Sequence, residues 1–166
     1  MDKQLVELEA HPRRTKVRLR IRMSASHEAS KHGLPRMLEG RTTAEVTALS
    51  LGPDQWLLVS DQLSAEKLVS MCESEFANVT HHAVDVSAAL NCATVQGPSA
   101  PALLSMGAGV DWSAQCIRTR FAAVPVVAHR HDPISFDLYY DRSFRDYLGQ
   151  WLSHALRDPL LNPVRS

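Results

Sequence analysis

The chain contains several short runs in which apolar and polar residues alternate with a period of two. In TKVRLRIRM (15–23), Val17, Leu19 and Ile21 alternate with cations, which predicts a strand with one apolar and one cationic face. The same alternation predicts a strand over residues 134–140. Other β-rich runs predict strands over residues 43–51, 56–60, 81–89, 92–97, 118–124 and 125–131. The Gly-Pro-Asp sequence at 52–54 favours a hairpin turn, because Pro fixes φ and Asp bonds to its own backbone.

Three other runs have the periodicity of an α-helix, and they cover residues 60–76, 98–107 and 143–156. Ser64 is placed to cap the first of these helices. Ser143 and Asp146 resemble the start of a capping box for the third.

The order strand, polar turn, amphipathic helix occurs twice, in residues 56–72 and again in 136–152. It predicts an α+β fold in which two related strand-strand-helix half-units pack together. We expect residues 16–157 to form a single domain between a flexible N-terminal segment (1–15) and a C-terminal tail (158–166).

The composition restricts the class of protein but does not indicate a function. The chain has 166 residues, of which 45% are hydrophobic and 22% charged, as in soluble globular domains. It has neither the apolar run of a membrane span nor the apolar core of a secretory signal, so we expect a cytoplasmic protein without membrane contact. The three cysteines are far apart and odd in number, which indicates buried reduced thiols rather than disulfides.

The sequence VQGPSAPALLSMGAGVD (95–111) has the outline of a ligand-binding loop. However, Pro98 and Pro101 remove N–H donors, and no basic residue is present to hold a phosphate. Proline in the first turn of a helix is the simpler interpretation. We therefore expect a connection between a strand and a helix.

Candidate catalytic and metal-binding residues form no complete set. His129 and His131 would face the same way in a strand, as two metal ligands must, but no third ligand lies nearby in the sequence. Spacing cannot pair Asp85, Asp111 and Asp137 as an acid and a base. We expect no catalytic, cofactor-binding or metal-binding residue in this chain.

Charge is uneven along the chain. Residues 1–45 hold ten Lys and Arg against six Asp and Glu, a balance of +4, and the remainder carries −4. The cationic strand face is formed by Lys16, Arg18, Arg20 and Arg22, and it lacks the interleaved aromatic residues of single-strand nucleic-acid sites. It therefore favours a solvated strand face, or contact with an acidic protein partner, over nucleic acid.

Several motifs in a consistent order resemble the gamma subunit family of heterotetrameric sarcosine oxidase. They include LGPDQWLLVSD (51–61), the long stretch 83–111, and SFRDYLGQWL (143–152), and the resemblance covers about residues 34–152. Gln55 departs from the Glu usual in the first motif. The residues that carry the resemblance are Gly52, Pro53, Asp54, Trp56, Asp85, Ser87, Gly97 and Asp111.

The resemblance implies a fold similar to the folate-binding aminomethyltransferase (glycine-cleavage T-protein) superfamily, in a shortened form. It implies a non-catalytic structural subunit that contacts alpha, beta and delta subunits, alpha most directly. Such a complex demethylates sarcosine to glycine oxidatively and passes the carbon to tetrahydrofolate or releases it as formaldehyde with hydrogen peroxide. FAD, FMN, NAD, tetrahydrofolate and zinc are then expected in the partner subunits. The alternative is a stand-alone folate-binding protein of the same superfamily.

Overall fold

Ten β-strands and three α-helices make up the described part of the chain, which the computed structural model gives as residues 7–10, 14–22, 31–158 and 161. The strands are β1 (Glu7–Ala10), β2 (Thr15–Ile21), β3 (Gly40–Thr42), β4 (Thr47–Gly52), β5 (Gln55–Ser60), β6 (His81–Asp85), β7 (Leu90–Gln96), β8 (Cys116–Phe121), β9 (Val124–Asp132) and β10 (Ser135–Asp141). The helices are α1 (Ala65–Glu75), α2 (Ala100–Gly107) and α3 (Arg145–Ala155).

The chain divides into two compact units. The first unit spans Pro12–Leu90, and the second combines Met1–His11 with Asn91–Ser166. Each unit has its own five-stranded sheet, its own helices and its own apolar cluster. This arrangement agrees with the two half-units expected from the repeated strand-turn-helix order.

The sheet of the first unit has the order β3-β4-β5-β2-β6, and every neighbouring pair is antiparallel. Helix α1 lies on one face of it, because Leu68, Cys72 and Phe76 recur every four residues and bury one stripe. Val17 and Leu19 of β2 belong to the same buried cluster. Ser64 caps α1 by accepting a hydrogen bond from the Lys67 amide at 3.2 Å, so the predicted cap is confirmed.

The sheet of the second unit has the order β1-β7-β10-β9-β8. Its buried cluster brings α2 and α3 together with the strands, and it includes Leu103, Leu104, Phe121, Leu148 and Leu152. Burying each such side chain contributes about 1.5–3 kcal/mol, which explains why helices of eight and eleven residues are stable here.

The predicted α+β class and all three predicted helices are confirmed, and four expectations about local structure need correction. Residues 7–10 fall in the segment expected to be flexible, yet they form β1 and pair antiparallel with β7. No strand is predicted between residues 24 and 42, but residues 40–42 form β3. Ser143 does not cap α3, since its side chain and amide instead donate to Asp141 before a short 3₁₀ turn.

The hairpin between β8 and β9 turns at Ala122 and Ala123, whereas the predicted strands 118–124 and 125–131 meet between residues 124 and 125. Both alanines have positive φ, at 49° and 67°, a conformation that L-residues other than Gly, Asn and Asp seldom adopt. The Ala122 amide donates to the Gly107 carbonyl at 2.9 Å, and the Tyr147 hydroxyl donates to the Ala122 carbonyl at 3.0 Å. These two hydrogen bonds hold the turn in place.

Candidate functional site

The Gly-Pro-Asp-Gln-Trp motif forms the turn between β4 and β5, and three hydrogen bonds of Asp54 and Trp56 hold this turn in place. The carbonyl of Asp54 accepts from the Ile21 amide at 3.0 Å, and its carboxylate accepts from Arg20 Nε at 3.0 Å. Trp56 is buried, and its indole N–H donates to the Pro35 carbonyl at 2.9 Å. The hydrogen bonds of Asp54 and Trp56 are structural, so nothing in the motif needs a ligand to explain it.

Asp85 and Ser87 close a turn that holds the end of β6 against β2. The Asp85 carboxylate accepts from both the amide and the hydroxyl of Ser87, and these hydrogen bonds lower the pKa of Asp85. The Ser87 hydroxyl oxygen accepts in turn from the Lys16 amide at 2.9 Å. Because the carboxylate is ionised and satisfied locally, it is a turn-forming group rather than an acid or base.

The same Asp-x-Ser geometry recurs at two other turns. Asp111 accepts from Ser113 and Asp141 accepts from Ser143, and hydrogen bonds from the serine lower the pKa of each aspartate. Gly97 has a φ of 123°, which favours glycine, and its amide donates to the Ile134 carbonyl at 2.9 Å. The sequence motif residues Gly97 and Asp111 therefore mark turns of the second unit.

The predicted cationic face is shorter than expected. Lys16 is 0% exposed, and its ammonium donates to the carbonyls of Arg14 (2.9 Å) and Ser87 (3.3 Å). The expectation that Lys16 belongs to an exposed face is therefore wrong. Arg18, Arg20 and Arg22 are exposed, with Arg20 paired to Asp54 across the neighbouring turn.

The face of β2 that carries the arginines extends onto its neighbour β6. In the register of this pair, Arg18 lies opposite Val84 and Arg20 lies opposite His82. Directly opposite residues share a face, so the arginines adjoin an exposed imidazole and a valine that is 39% exposed. We call the exposed set Arg18, Arg20 and Arg22 the arginine row.

A second polar constellation lies on one face of the sheet of the second unit. Asp137 of β10 lies opposite His129 of β9 in the register, and His131 follows two residues later on the same face. The carboxylate of Asp137 is 2.8 Å from His131 Nε2, and the two imidazole centroids are 4.2 Å apart. Thr94 and Tyr139 donate their hydroxyl hydrogens to the same carboxylate.

The sequence identifies His129 and His131 as possible metal ligands but does not identify Asp137 as their neighbour. Asp137 is six to eight residues away in sequence, but the β9–β10 hairpin folds it back against them. The predicted hairpin could have indicated this neighbour, because the register of two paired strands determines which residues lie opposite one another. A bulge between Ser135 and Phe136 shifts that register, and alternation alone does not reveal it. Only the folded hairpin identifies Asp137 as the neighbour of His129.

Each unit also has an open cleft. The cleft of the first unit has a volume of about 600 Å³ and lies beside α1, where its lining includes Arg41, Leu68 and Phe76. The cleft of the second unit has a volume of about 690 Å³ and follows α3. The carboxylates that line them, Glu75 and Asp146, are both exposed. Among the described residues that line them, neither cleft therefore presents a buried carboxylate that would orient a ligand.

The two sheets with their helices define the class of the protein as an α+β fold of the aminomethyltransferase type. The chain is similar to a chain of the heterotetrameric sarcosine oxidase from Corynebacterium sp. U-96, solved in complex with pyrrole 2-carboxylate. That similarity has a TM-score of 0.78 at 23% identity, and it covers 91% of this chain and 83% of the other.

Two further solved structures are similar. Glycine cleavage system aminomethyltransferase T from Bartonella henselae matches at a TM-score of 0.70 and 13% identity. The match covers 89% of this chain and 45% of the aminomethyltransferase chain. The regulatory subunit of aspartate kinase from Thermus thermophilus matches at 0.51 and 8% identity, over 90% of this chain and 97% of that one. No protein-family model and no curated protein matches the sequence significantly. The similarity to the sarcosine oxidase and aminomethyltransferase structures confirms the fold that the sequence resemblance implies.

Among the described residues, no helix combines the length and the apolar character needed to cross a membrane.

Proposed function

We propose that this chain is a non-catalytic, gamma-type subunit of a heterotetrameric sarcosine-oxidase-like complex in the cytoplasm. The complex would demethylate sarcosine oxidatively to glycine, with transfer of the carbon to tetrahydrofolate or its release as formaldehyde and hydrogen peroxide. FAD, FMN, NAD, tetrahydrofolate and a zinc ion would be held by the partner subunits. The alpha subunit would make the most direct contact with this chain.

The observation that carries the proposal is the extent of the fold similarity. The match to the sarcosine oxidase chain covers 91% of this chain and 83% of that one, whereas the match to the aminomethyltransferase covers 45% of the larger protein. The TM-score and the identity are also higher for the oxidase chain, 0.78 and 23% against 0.70 and 13%, so the similarity favours a subunit of an oxidase over an aminomethyltransferase. The order of the sequence motifs points in the same direction.

The roles of the motif residues support a non-catalytic subunit. Asp54, Asp85 and Asp111 each have hydrogen-bond partners from their own turn or the adjoining strand. Trp56 is buried with its N–H bonded to a carbonyl. Residues engaged in this way stabilise turns of the scaffold, which is a structural role.

The arginine row is our candidate for the contact with the partner. It adjoins the partly exposed Val84, so charge and apolar area occur together, as they do at the rim and core of protein interfaces. An acidic patch on the partner would be attracted to the row and would associate faster at low ionic strength. Lys16 is buried and is not part of this candidate contact.

The proposal is tested by isolating the chain with its natural partners. We expect a tagged chain expressed in its own cells to recover three other polypeptides in equal amounts. The recovered complex should show a flavin absorption spectrum and form hydrogen peroxide when sarcosine is added. The chain produced alone should bind neither flavin nor sarcosine. Isolation without partners, or sarcosine oxidation by the chain alone, would contradict the proposal.

The contact surface is tested by reversing charges. The variant Arg18→Glu, Arg20→Glu, Arg22→Glu should weaken association with the other subunits by about tenfold or more at low salt, and the effect should shrink as salt rises. Arg120→Glu provides the matched control, since Arg120 is also an exposed arginine on a strand. Equal loss in both variants, or no loss in the triple variant, would remove the arginine row as the contact.

The alternative is a stand-alone folate-binding protein, and the similarity to the aminomethyltransferase favours it. Calorimetry of the isolated chain with tetrahydrofolate separates the two functions. Saturable binding at one site would favour the alternative. The subunit proposal expects no heat of binding from the isolated chain.

A further inference from the structure

The polar cluster of His129, His131 and Asp137 in the second unit contains the donor set of a transition-metal site. Two imidazoles and one carboxylate converge, and their ligand atoms all lie within 4.8 Å of one another. Two histidines with one carboxylate are a common ligand set for zinc and for non-haem iron. Hard cations such as Mg²⁺ prefer oxygen ligands and would be held poorly by this set.

The backbone brings the three groups together before any ligand arrives. His129 and His131 are two residues apart on β9, and Asp137 faces them from β10. Both strands lie inside the sheet, between β7 and β8. The three side chains therefore project from a rigid base, which reduces the entropy lost when they close on an ion.

The distances require only a small closing movement. Ligand atoms about 2.0–2.1 Å from a tetrahedral zinc ion are separated from one another by roughly 3.3 Å. His131 Nε2 is now 2.8 Å from the Asp137 carboxylate, and the widest separation in the set is below 4.8 Å. Shifts on the order of 1 Å suffice, and rotation of the His131 side chain, which is 41% exposed, can supply them.

The surroundings provide a second layer of hydrogen bonds. Asp137 is 1% exposed and accepts hydrogen bonds from the hydroxyls of Thr94 and Tyr139. Such donors fix the orientation of a ligating carboxylate and raise metal affinity. His129 is buried beside it, whereas the exposed edge of His131 leaves a path for an ion to enter.

We infer that His129, His131 and Asp137 form a site for one divalent transition-metal ion of the zinc type. The ion replaces the hydrogen in the hydrogen bond between His131 Nε2 and Asp137. The displaced proton goes to His131 Nδ1, or to solvent where Nδ1 already carries one, so that a neutral imidazole binds the ion. The exposed side of His131 leaves a coordination position for water. The site cross-links β9 to β10. For this chain, the inference replaces the sequence-based expectation that no residue binds a metal, and it is independent of the subunit proposal.

The site is tested by titrating the full chain, freed of metal with a chelator, with ZnCl₂ in a calorimeter and with CoCl₂ in a spectrophotometer. We expect one equivalent of Zn²⁺ to bind, visible d–d bands to appear with Co²⁺, and MgCl₂ to give no signal. His131→Ala is the main variant, because this half-exposed side chain is removed without opening the core. It should weaken Zn²⁺ binding by about tenfold or more.

His154→Ala is the matched control, since His154 is an exposed histidine of the same unit on α3. It should bind Zn²⁺ as the unaltered chain does. Tyr139→Phe removes one hydroxyl that supports Asp137 and should weaken binding by about tenfold. The inference is overturned if the unaltered chain takes up no Zn²⁺, if His131→Ala binds it equally well, or if His154→Ala loses it to the same degree.

Discussion

The contact between Gly107 and Phe121 gives a sharp test of the packing in the second unit. A Cβ atom placed on Gly107, the last residue of α2, would lie 2.1, 2.4 and 2.6 Å from three atoms of the Phe121 ring. Ordinary van der Waals contact lies between 3.4 and 4 Å. The Gly107→Ala variant therefore requires the ring to move by about 1.3 Å or the helix end to shift by as much.

The ring has little room to make that movement. Phe121 is fully buried, and its ring packs edge-to-face against Trp151 at 5.0 Å and against Trp112 at 6.3 Å. The Gly107 carbonyl also accepts the Ala122 amide, so the helix end is tied to the turn. Overpacking of this kind costs about 1–3 kcal/mol, and we expect the upper part of that range, about 2–3 kcal/mol.

Gly149→Ala is the matched control. Gly149 lies inside α3, is exposed, and would place its Cβ in open space with no atom within 4 Å. Alanine in a helix interior is favoured over glycine by about 0.5–1 kcal/mol, so this variant should be more stable than the unaltered chain.

The assay is urea unfolding followed by far-ultraviolet circular dichroism and tryptophan fluorescence. We expect the free energy of unfolding to fall for Gly107→Ala and to rise for Gly149→Ala, with a separation of about 3 kcal/mol between the two. A Gly107→Ala variant within about 0.5 kcal/mol of the unaltered chain would refute the close contact with Phe121.

Three other predictions concern hydrogen bonds, ionisation and thiols. Trp56→Phe removes the N–H that pairs with the buried Pro35 carbonyl, so it should lower the free energy of unfolding by about 1–3 kcal/mol. Hydrogen bonds from Ser87 lower the pKa of Asp85 in the folded state. The ionised Asp85 carboxylate therefore stabilises the folded chain fully above its unfolded-state pKa, and this stabilisation is lost as pH falls through the lowered folded-state pKa. Carboxyl NMR should show this pKa below its usual value. Burial, then the charge of Glu73, raises the pKa of Cys72 to about 11, so its thiol should react with a disulfide reagent only after unfolding.

Each of these has a result that would contradict it. Equal stability of Trp56→Phe and the unaltered chain would mean that the indole bond contributes nothing. Ser87→Ala should return the pKa of Asp85 towards its usual value, and an unchanged pKa would assign the shift to another cause. Rapid labelling of Cys72 in the folded chain would contradict its burial on the inner face of α1.

Local sequence determined much of this fold. Alternation identified β2 and β10, and an apolar run after a Gly-Pro-Asp turn identified β5. In β2 the alternation reflects two faces in different environments, one apolar and buried and the other mostly exposed. Ser64 identified the start of α1, because its hydroxyl oxygen accepts a backbone hydrogen that would otherwise lack a partner. These features depend on residues close together in the chain, so short windows contain the information.

Other features were decided only by the tertiary structure. Alternation placed Lys16 on a cationic face, but whether that part of the face is covered depends on distant segments, and Lys16 proved to be buried. The turn at Ala122 and Ala123 has no sequence signal, since alanine seldom adopts positive φ and here is held by contacts with α2 and α3. The meeting of Asp137 with His129 depends on strand register, which the whole hairpin and its bulge set together. The local sequence thus specified which residues form strands and helices and where a helix begins. The burial of a strand face, the register of paired strands and the meeting of distant side chains required the folded chain.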